Sequence, residues 1–241
     1  MKNGKTEENP KVLVGCPVSD YHEYCTKEYL EAIKSLTYTN YDILLVDNSK
    51  DDRFYNTIKD KVPVLRTGYH PNVYERVIRS RNALRQRALD GGYDYFLSLE
   101  QDVIPPRNVI ERLLKYGKKI ISGVYFIPEM KNGKARLAPM IWAEHQADPK
   151  KKLDIREDII NGKNLIKAGA CGLGCVLIHR KVLEQIPFRY NTSEGDGIDD
   201  SFFSLDARNK GFEIYADTAI KCLHLIKGRN WYWKDLVKQQ D

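Results

Sequence analysis

The sequence predicts an α/β domain, and three observations carry that expectation. Short apolar runs of strand length alternate with longer amphipathic stretches through about the first half of the chain, after which the pattern becomes mixed. The run Tyr95–Leu99 is apolar and aromatic, is followed at once by Glu100 and Asp102, and is stopped by Pro105-Pro106; it reads as a buried strand with acids at its carboxyl end. The chain has 241 residues, 42% of them hydrophobic, which suffices for one substantial core. Ligands of open α/β sheets bind outside the carboxyl ends of the strands. Acids two apart in extended chain lie on one side, and hard oxygen ligands of this kind suit Mg²⁺ or Mn²⁺ together with substrate phosphates.

Taken in order, residues 1–10 are polar and read as a flexible tail. Val12-Leu13-Val14 makes a first buried strand within 11–16, and Pro17 ends its ladder role. Thr26 is placed to cap a helix running to Leu36, with Tyr29, Ile33 and Leu36 on one face. Residues 41–46 form a second strand closed by the turn formers Asp47-Asn48-Ser49, and Pro63-Val64-Leu65 a third. A helix over 73–89 puts Val73, Val77, Leu84 and Ala88 on one stripe and ends at Gly91-Gly92. Beyond the 95–99 strand, a helix is expected over 107–116 and a strand over 119–127. Residues 129–167 are charged, with Asn132-Gly133 and Asn161-Gly162 turns and a lysine run at 150–152, and read as a hairpin-like excursion. The glycine-rich stretch 169–174 leads into a strand at 175–178, followed by a short helix at 181–185. A helix over 199–210 carries two acids in its first turn, favourable for its dipole, and Gly211 closes it. Late strands are expected at 212–215 and 219–223.

Composition bounds the partners. The 39 basic and 33 acidic residues leave a formal charge of +6. That excess is mild and scattered; it permits an anionic substrate or membrane surface and requires neither. No ribonucleoprotein-type aromatic signature is present, so nucleic acid is not expected as a partner. Five cysteines, an odd number, argue against a disulfide framework and for reduced thiols in a cytoplasmic setting. Cys171 and Cys175 lack the second pair that a zinc site needs. No apolar run is long enough to span a bilayer and the first ten residues carry no signal-peptide core, so at most peripheral contact with the inner membrane face is expected.

Six motifs then occur in order between residues 11 and 225. They are Cys16-Pro17-Val18-Ser19 at the first strand end, the aspartate turn Val46-Asp47-Asn48-Ser49-Lys50-Asp51-Asp52, and Arg81-Asn82 on a helix. Leu99-Glu100-Gln101-Asp102-Val103, the run Asp199-Asp200-Ser201-Phe202-Phe203 with Gly211-Phe212, and His224 complete the set. Together they resemble glycosyltransferases of the A-type (GT-A) fold, near the inverting family 2. The fourth motif is similar to that family's metal-binding D-x-D signature, with the longer Glu100 in place of the first aspartate, and the late pair is Asp-Asp where the family has Glu-Asp.

The resemblance implies a single α/β, GT-A-like domain over 11–226 with a mixed central sheet, a Rossmann-like nucleotide-binding half (11–104), an acceptor and catalytic half (105–226), and a C-terminal segment or flap (227–241) bearing Trp231, Tyr232 and Trp233. It implies sugar transfer from a UDP or GDP sugar to a hydroxyl of a glycan, glycolipid or small-molecule acceptor, inverting and dependent on Mn²⁺ or Mg²⁺. The excursion 129–167 is the candidate for acceptor recognition. Asp47 would accept a hydrogen bond from the nucleobase imide, with Pro17 and Ser19 lining the same pocket. Asp102 and His224 would hold the metal bridging the diphosphate, Glu100 would approach the ribose or the metal, and Gln101 is grouped with the donor contacts. Asp200, with Asp199 as neighbour and alternative, would be the general base. From its own chemistry Arg81 is read either as a solvated helix residue or as a diphosphate contact, and the glycines around Gly172 as letting backbone approach a sugar.

Two other readings stay open. A nucleotidyltransferase also uses strand-end acids and metal, but usually carries a glycine-rich basic loop after the first strand, which Pro17-Val18-Ser19-Asp20 does not offer. A silent nucleotide-sugar-binding module would be expected to lack the acids that this chain keeps. His22, His70, His145 and His179 receive no role.

Overall fold

A computed structural model describes residues 9–131, 133–145, 152–155, 160–191 and 198–231. Most of the expected tail, Asn132, Lys150, Lys151, Tyr232 and Trp233 lie outside the described residues. Strand β1 is Val12–Gly15, β2 Pro17–Val18, helix α1 Thr26–Lys34, β3 Tyr41–Ile43, β4 Leu45–Asp47, α2 Asp52–Ile58, β5 Val64–Arg66 and α3 Val73–Asp90. There follow β6 Tyr95–Leu99, β7 Val103–Ile104, α4 Val109–Leu114, β8 Ile120–Val124, β9 Phe126–Lys131, β10 Lys134–Pro139, β11 Ile141–Glu144, β12 Lys152–Asp154 and β13 Leu165–Ala168. The described part ends with β14 Ala170–Cys171, β15 Cys175–His179, α5 Arg180–Leu183, α6 Asp199–Asn209, β16 Ile214–Lys221, β17 Leu223–Ile226 and β18 Arg229–Trp231.

Seven strands form the central sheet in the order β13-β16-β8-β15-β6-β1-β3. β1 runs parallel to β3 and β6, and β8 parallel to β16, whereas β15 is antiparallel to both β6 and β8. The sheet is therefore mixed, as expected. Side chains alternate between its faces: Leu13, Phe96, Ile120 and Ile178 pack with Leu84 and Ala88 of α3 and Phe203 and Ala207 of α6. On the other face Val12, Val14, Leu97, Leu99 and Ile121 pack with Tyr29 and Ile33 of α1, Phe54 of α2 and Ile110 and Leu113 of α4. Two apolar faces need two covering layers, so this is a helix–sheet–helix sandwich. Among the described residues no helix is long and apolar enough to cross a membrane.

Several elements differ from expectation, each for a physical reason. Thr26 does not cap α1; a 3-10 turn at Asp20–Cys25 precedes it and Cys25 is the cap residue. The second strand is two strands: β3 stays in the central sheet, while β4 joins a small parallel sheet with β2 and β5. Leu44 makes the crossing, and its carbonyl lies where a Cβ on Gly15 would sit, 2.1 Å away, so only glycine fits at the end of β1. The 119–127 strand breaks at Tyr125, between β8 and β9. The excursion is a β9–β10 hairpin and a β11–β12–β14 sheet, but its last residues return as β13 to the edge of the central sheet. The two late strands are one long β16 and a separate β17.

Candidate active site

β6 ends in a tight turn, closed by the Val103 amide on the Glu100 carbonyl at 2.9 Å, and the chain re-enters as β7. β7 pairs antiparallel with β17, setting His224 opposite Val103, and the Leu225 amide donates to the Asp102 carbonyl at 2.7 Å. That ladder delivers the His224 imidazole to the Asp102 carboxylate, Nε2 to Oδ2 at 3.1 Å. The other ring nitrogen, Nδ1, donates to the Phe126 carbonyl at 2.7 Å. Burial pulls the His224 pKa down, but the Asp102 hydrogen bond and charge, aided by the Phe126 carbonyl, more than offset it and leave the imidazole more basic than usual. A second imidazole lies on the same oxygen: His22 Nε2 is 3.5 Å from Asp102 Oδ2. Its pKa is lowered, chiefly by burial, with the Asp102 charge opposing and His224 adding to the fall.

Arg81, on α3, is the second hub. It is 3% exposed, and its guanidinium donates to Glu100 Oε1, Asp199 Oδ2 and, at 3.1 Å, Ser98 Oγ. One buried cation thus ties the end of β6 to the start of α6. Glu100, whose side chain is 31% exposed, has its carboxyl pushed up from 4.5 to about 7 by burial, against the pull of Arg81 and with the Asp102 and Asp199 charges adding to the rise. Arg81 is accordingly engaged by protein carboxylates, and Glu100 is turned towards it. Asp200 accepts a hydrogen bond from Ser201 Oγ at 3.0 Å.

Tyr125, at the break after β8, meets both His224 and the glycine-rich turn. Its buried phenol is raised well above the usual value, first by burial and then by the charges of Glu100, Asp200 and Asp102. Its ring meets His224 edge-on, with centroids 5.5 Å apart, and its oxygen accepts from the Gly174 amide at 3.2 Å. A Cβ on Gly172 would lie 2.2 Å from that oxygen, and one on Gly174 2.6 Å from the ring. The glycines of the 169–174 stretch thus admit Tyr125; in this structure Gly172 faces a protein ring.

The residues expected round a nucleobase form an internally paired network. Asp47 is fully buried; its Oδ1 accepts from the Ser49 amide and hydroxyl at 3.0 and 2.6 Å, and its Oδ2 is 3.1 Å from Arg66 Nε. Arg66 also bonds the Ser49 and Asp51 carbonyls and the Asp52 carboxylate, pinning the aspartate turn. Gln101 is 3% exposed: its Oε1 accepts from the Ser19 amide at 3.1 Å and its Nε2 donates to the His22 carbonyl and Thr26 Oγ1. It holds Ser19, just past the end of β2, against the acidic turn. Sequence reasoning missed His22, Tyr125 and this positioning use of Gln101. The only signal for His22 was its place in the loop after the first strand.

Among the described residues no group of three or more His, Cys, Asp and Glu side chains is arranged to hold a metal ion. Asp102 and His224 offer two donors, an oxygen and a nitrogen, with the imidazole oriented from behind by the Phe126 carbonyl. Two protein donors suit Mg²⁺ or Mn²⁺ when substrate phosphates and water complete the shell, so this pair fits such an ion.

No protein-family model matches the chain, and no curated protein matches it. Solved structures do. A197 from STIV matches with TM-score 0.52 and 16% identity over 90% of this chain and 86% of its own. GalNAc-T7, solved with UDP, GalNAc and Mn²⁺, matches with TM-score 0.64 and 13% identity over 91% of this chain and 44% of its own. The mannosyltransferase PcManGT from Pyrobaculum calidifontis, solved with GDP-Man and Mn²⁺, matches with TM-score 0.51 and 13% identity over 88% and 58%. The chain thus spans less than two thirds of the last two. At such identities the likeness is one of architecture: the chain shares a mixed α/β, GT-A-like fold with these structures.

Proposed function

We propose that the chain transfers a sugar from a UDP or GDP sugar to an acceptor hydroxyl, with inversion, assisted by Mn²⁺ or Mg²⁺. The observation that carries this reading is the Asp102–His224 pair, separated by 122 residues in sequence and 3.1 Å in space at the carboxyl end of β6. The solved structures of similar fold support it, since two of them hold nucleotides and Mn²⁺.

Asp102 and His224 would hold the ion, which when bound offsets the charge developing on the leaving diphosphate. Asp199 is engaged by the Arg81 guanidinium, which directs its carboxylate to a protein partner. Asp200 is therefore the proposed base, taking the acceptor hydroxyl's proton as that oxygen attacks the anomeric carbon. One in-line displacement inverts the centre. Arg81 acts by fixing Glu100 and Asp199, and Gln101 by holding the Ser19 loop; neither needs to touch the donor. Asp47 Oδ2 is 3.1 Å from Arg66 Nε yet accepts no hydrogen bond among the described residues, so it keeps the acceptor capacity that a base imide would use.

The test is thermal melting with UDP or GDP, with and without Mn²⁺, alongside release of sugar from UDP and GDP sugars. Nucleotide is expected to raise the melting point only with metal, and donor hydrolysis to vanish in Asp102→Ala. Asp200→Asn is expected to lower transfer by roughly 10²–10⁴-fold while keeping the nucleotide-dependent shift. A melting point indifferent to every nucleotide, with and without metal, would overturn the reading.

A further inference from the structure

Beside the Arg81–Glu100–Asp199 cluster lies a cavity of about 260 Å³, just under the roughly 300–1,000 Å³ of small-molecule sites. Its polar end is Arg81, Glu100 and Asp199; its walls are Val73, Tyr74, Val77 and Ile78 of α3 with Tyr190 and Ile198. Apolar residues normally leave such positions for the core, yet Val73 is 49% exposed, Tyr74 43% and Ile198 41%. The stripe of α3 divides: its C-terminal members Leu84 and Ala88 are buried in the core, while Val73 and Val77 line the cavity instead. Tyr74 and Tyr190 are mutually packed, ring centroids 5.6 Å apart, and Tyr190 is tied by hydrogen bonds to Asn72 and Glu75, so that wall is formed in advance.

We propose that this cavity is the acceptor subsite and takes an alkyl or aryl group attached to the hydroxyl-bearing part of the acceptor. The inference rests on the transferase reading, because its position beside Asp199, next to the proposed base, is what makes the occupant a substrate. The chemistry of the lining selects the class. Arg81 and the two carboxylates are already paired with one another, and among the described residues the rest of the wall is aliphatic apart from the two tyrosines. A bare sugar there would lose water from most of its hydroxyls without new partners. An apolar group loses nothing and buries its own surface against Val73, Val77 and Ile198.

The experiment compares binding of n-hexyl and methyl β-glucosides to the full chain by calorimetry, with the same pair in Val77→Asp and the near-isosteric Val77→Thr. The hexyl compound is expected to bind at least about tenfold more tightly, since several methylenes are buried. The preference should shrink in Val77→Thr and vanish in Val77→Asp, with melting curves showing both variants folded. Equal affinity for the two glucosides, or a hexyl preference unchanged in folded Val77→Asp, overturns the proposal. Donor hydrolysis in the same preparations reports on the transfer reading by itself: its presence without hexyl selectivity sinks only the subsite, and its absence with a Val77-dependent hexyl preference leaves the cavity as an apolar binding site but removes its role as an acceptor subsite.

Discussion

Arg81 is the residue on which two acids of the site depend. Replacing it by Met leaves Glu100 and Asp199 facing each other without a counter-ion. Loss of one partner of a buried pair costs about 3–5 kcal/mol, and the partial exposure of Glu100 places this case at the lower end. Urea unfolding of Arg81→Met should show that loss, and adding Glu100→Gln should restore part of it, a coupling that a double-mutant cycle isolates. Glu100 also gives the protein a pH dependence of known sign. Its carboxyl titrates near 4.5 in the unfolded chain and about 7 in the folded one. Between those values the folded state keeps a proton that the unfolded chain has released, so this group's contribution to stability falls as pH rises. The melting-point difference between Glu100→Gln and the parent should therefore grow from pH 4.5 to 7 in favour of the variant and then level off. A flat difference would place the carboxyl in water.

At the scale of elements, the short glycine run before β15 and the break after β8 are two sides of one contact. Tyr125 leaves the strand ladder and inserts its ring where Gly172 and Gly174 have no side chains. Gly172→Ala should cost about 1–3 kcal/mol, as overpacking does. Tyr125→Phe, which removes the atom 2.2 Å from the added methyl, should recover part of that in the double variant, measured as a shift in the urea midpoint. Neither half of the contact is legible locally: a tyrosine in an apolar run looks like one more strand residue. The same holds for Leu44, where only the pairing partners of β3 and β4 reveal that the chain changes sheet. By contrast β1, α3, β6 and α6 were legible, because each pairs a local signal (an apolar run in β1 and β6, a helical stripe in α3, first-turn acids in α6) with a punctuating Pro or Gly. The N-terminal part of α3 shows the limit of that signal, since Val73 and Val77 keep the helical stripe but face a cavity rather than the core.

On the scale of the whole molecule, the site exists only when distant segments meet: Asp102 with His224 across 122 residues and Arg81 with Asp199 across 118. The sequence marked these acids and the late histidine but not their pairings. A lone imidazole such as His22 carries no mark of the carboxylate it will face, and Arg81 reads equally well as a surface cation. This assembly has a measurable consequence. An ion held by Asp102 and His224 binds the folded chain alone, so it should stabilise the entire cooperative transition, by about 2.7 kcal/mol at a hundredfold excess over its dissociation constant. It must also displace the proton that the Asp102 carboxylate holds on His224 Nε2, because only the neutral imidazole is a ligand. The His224 pKa is raised, so the Mn²⁺-induced rise in melting point should be small in mild acid and increase as pH passes through the ordinary imidazole range and above it. Without metal the sign reverses: the protonated pair stabilises the fold below that range, and its contribution fades as pH rises through the raised value. In His224→Ala both trends should disappear together, while circular dichroism and Trp142 fluorescence still report one transition. A Mn²⁺ shift that is the same at every pH, or that survives intact in His224→Ala, would mean that the ion binds elsewhere and that the Asp102–His224 pair is only a strut between β7 and β17.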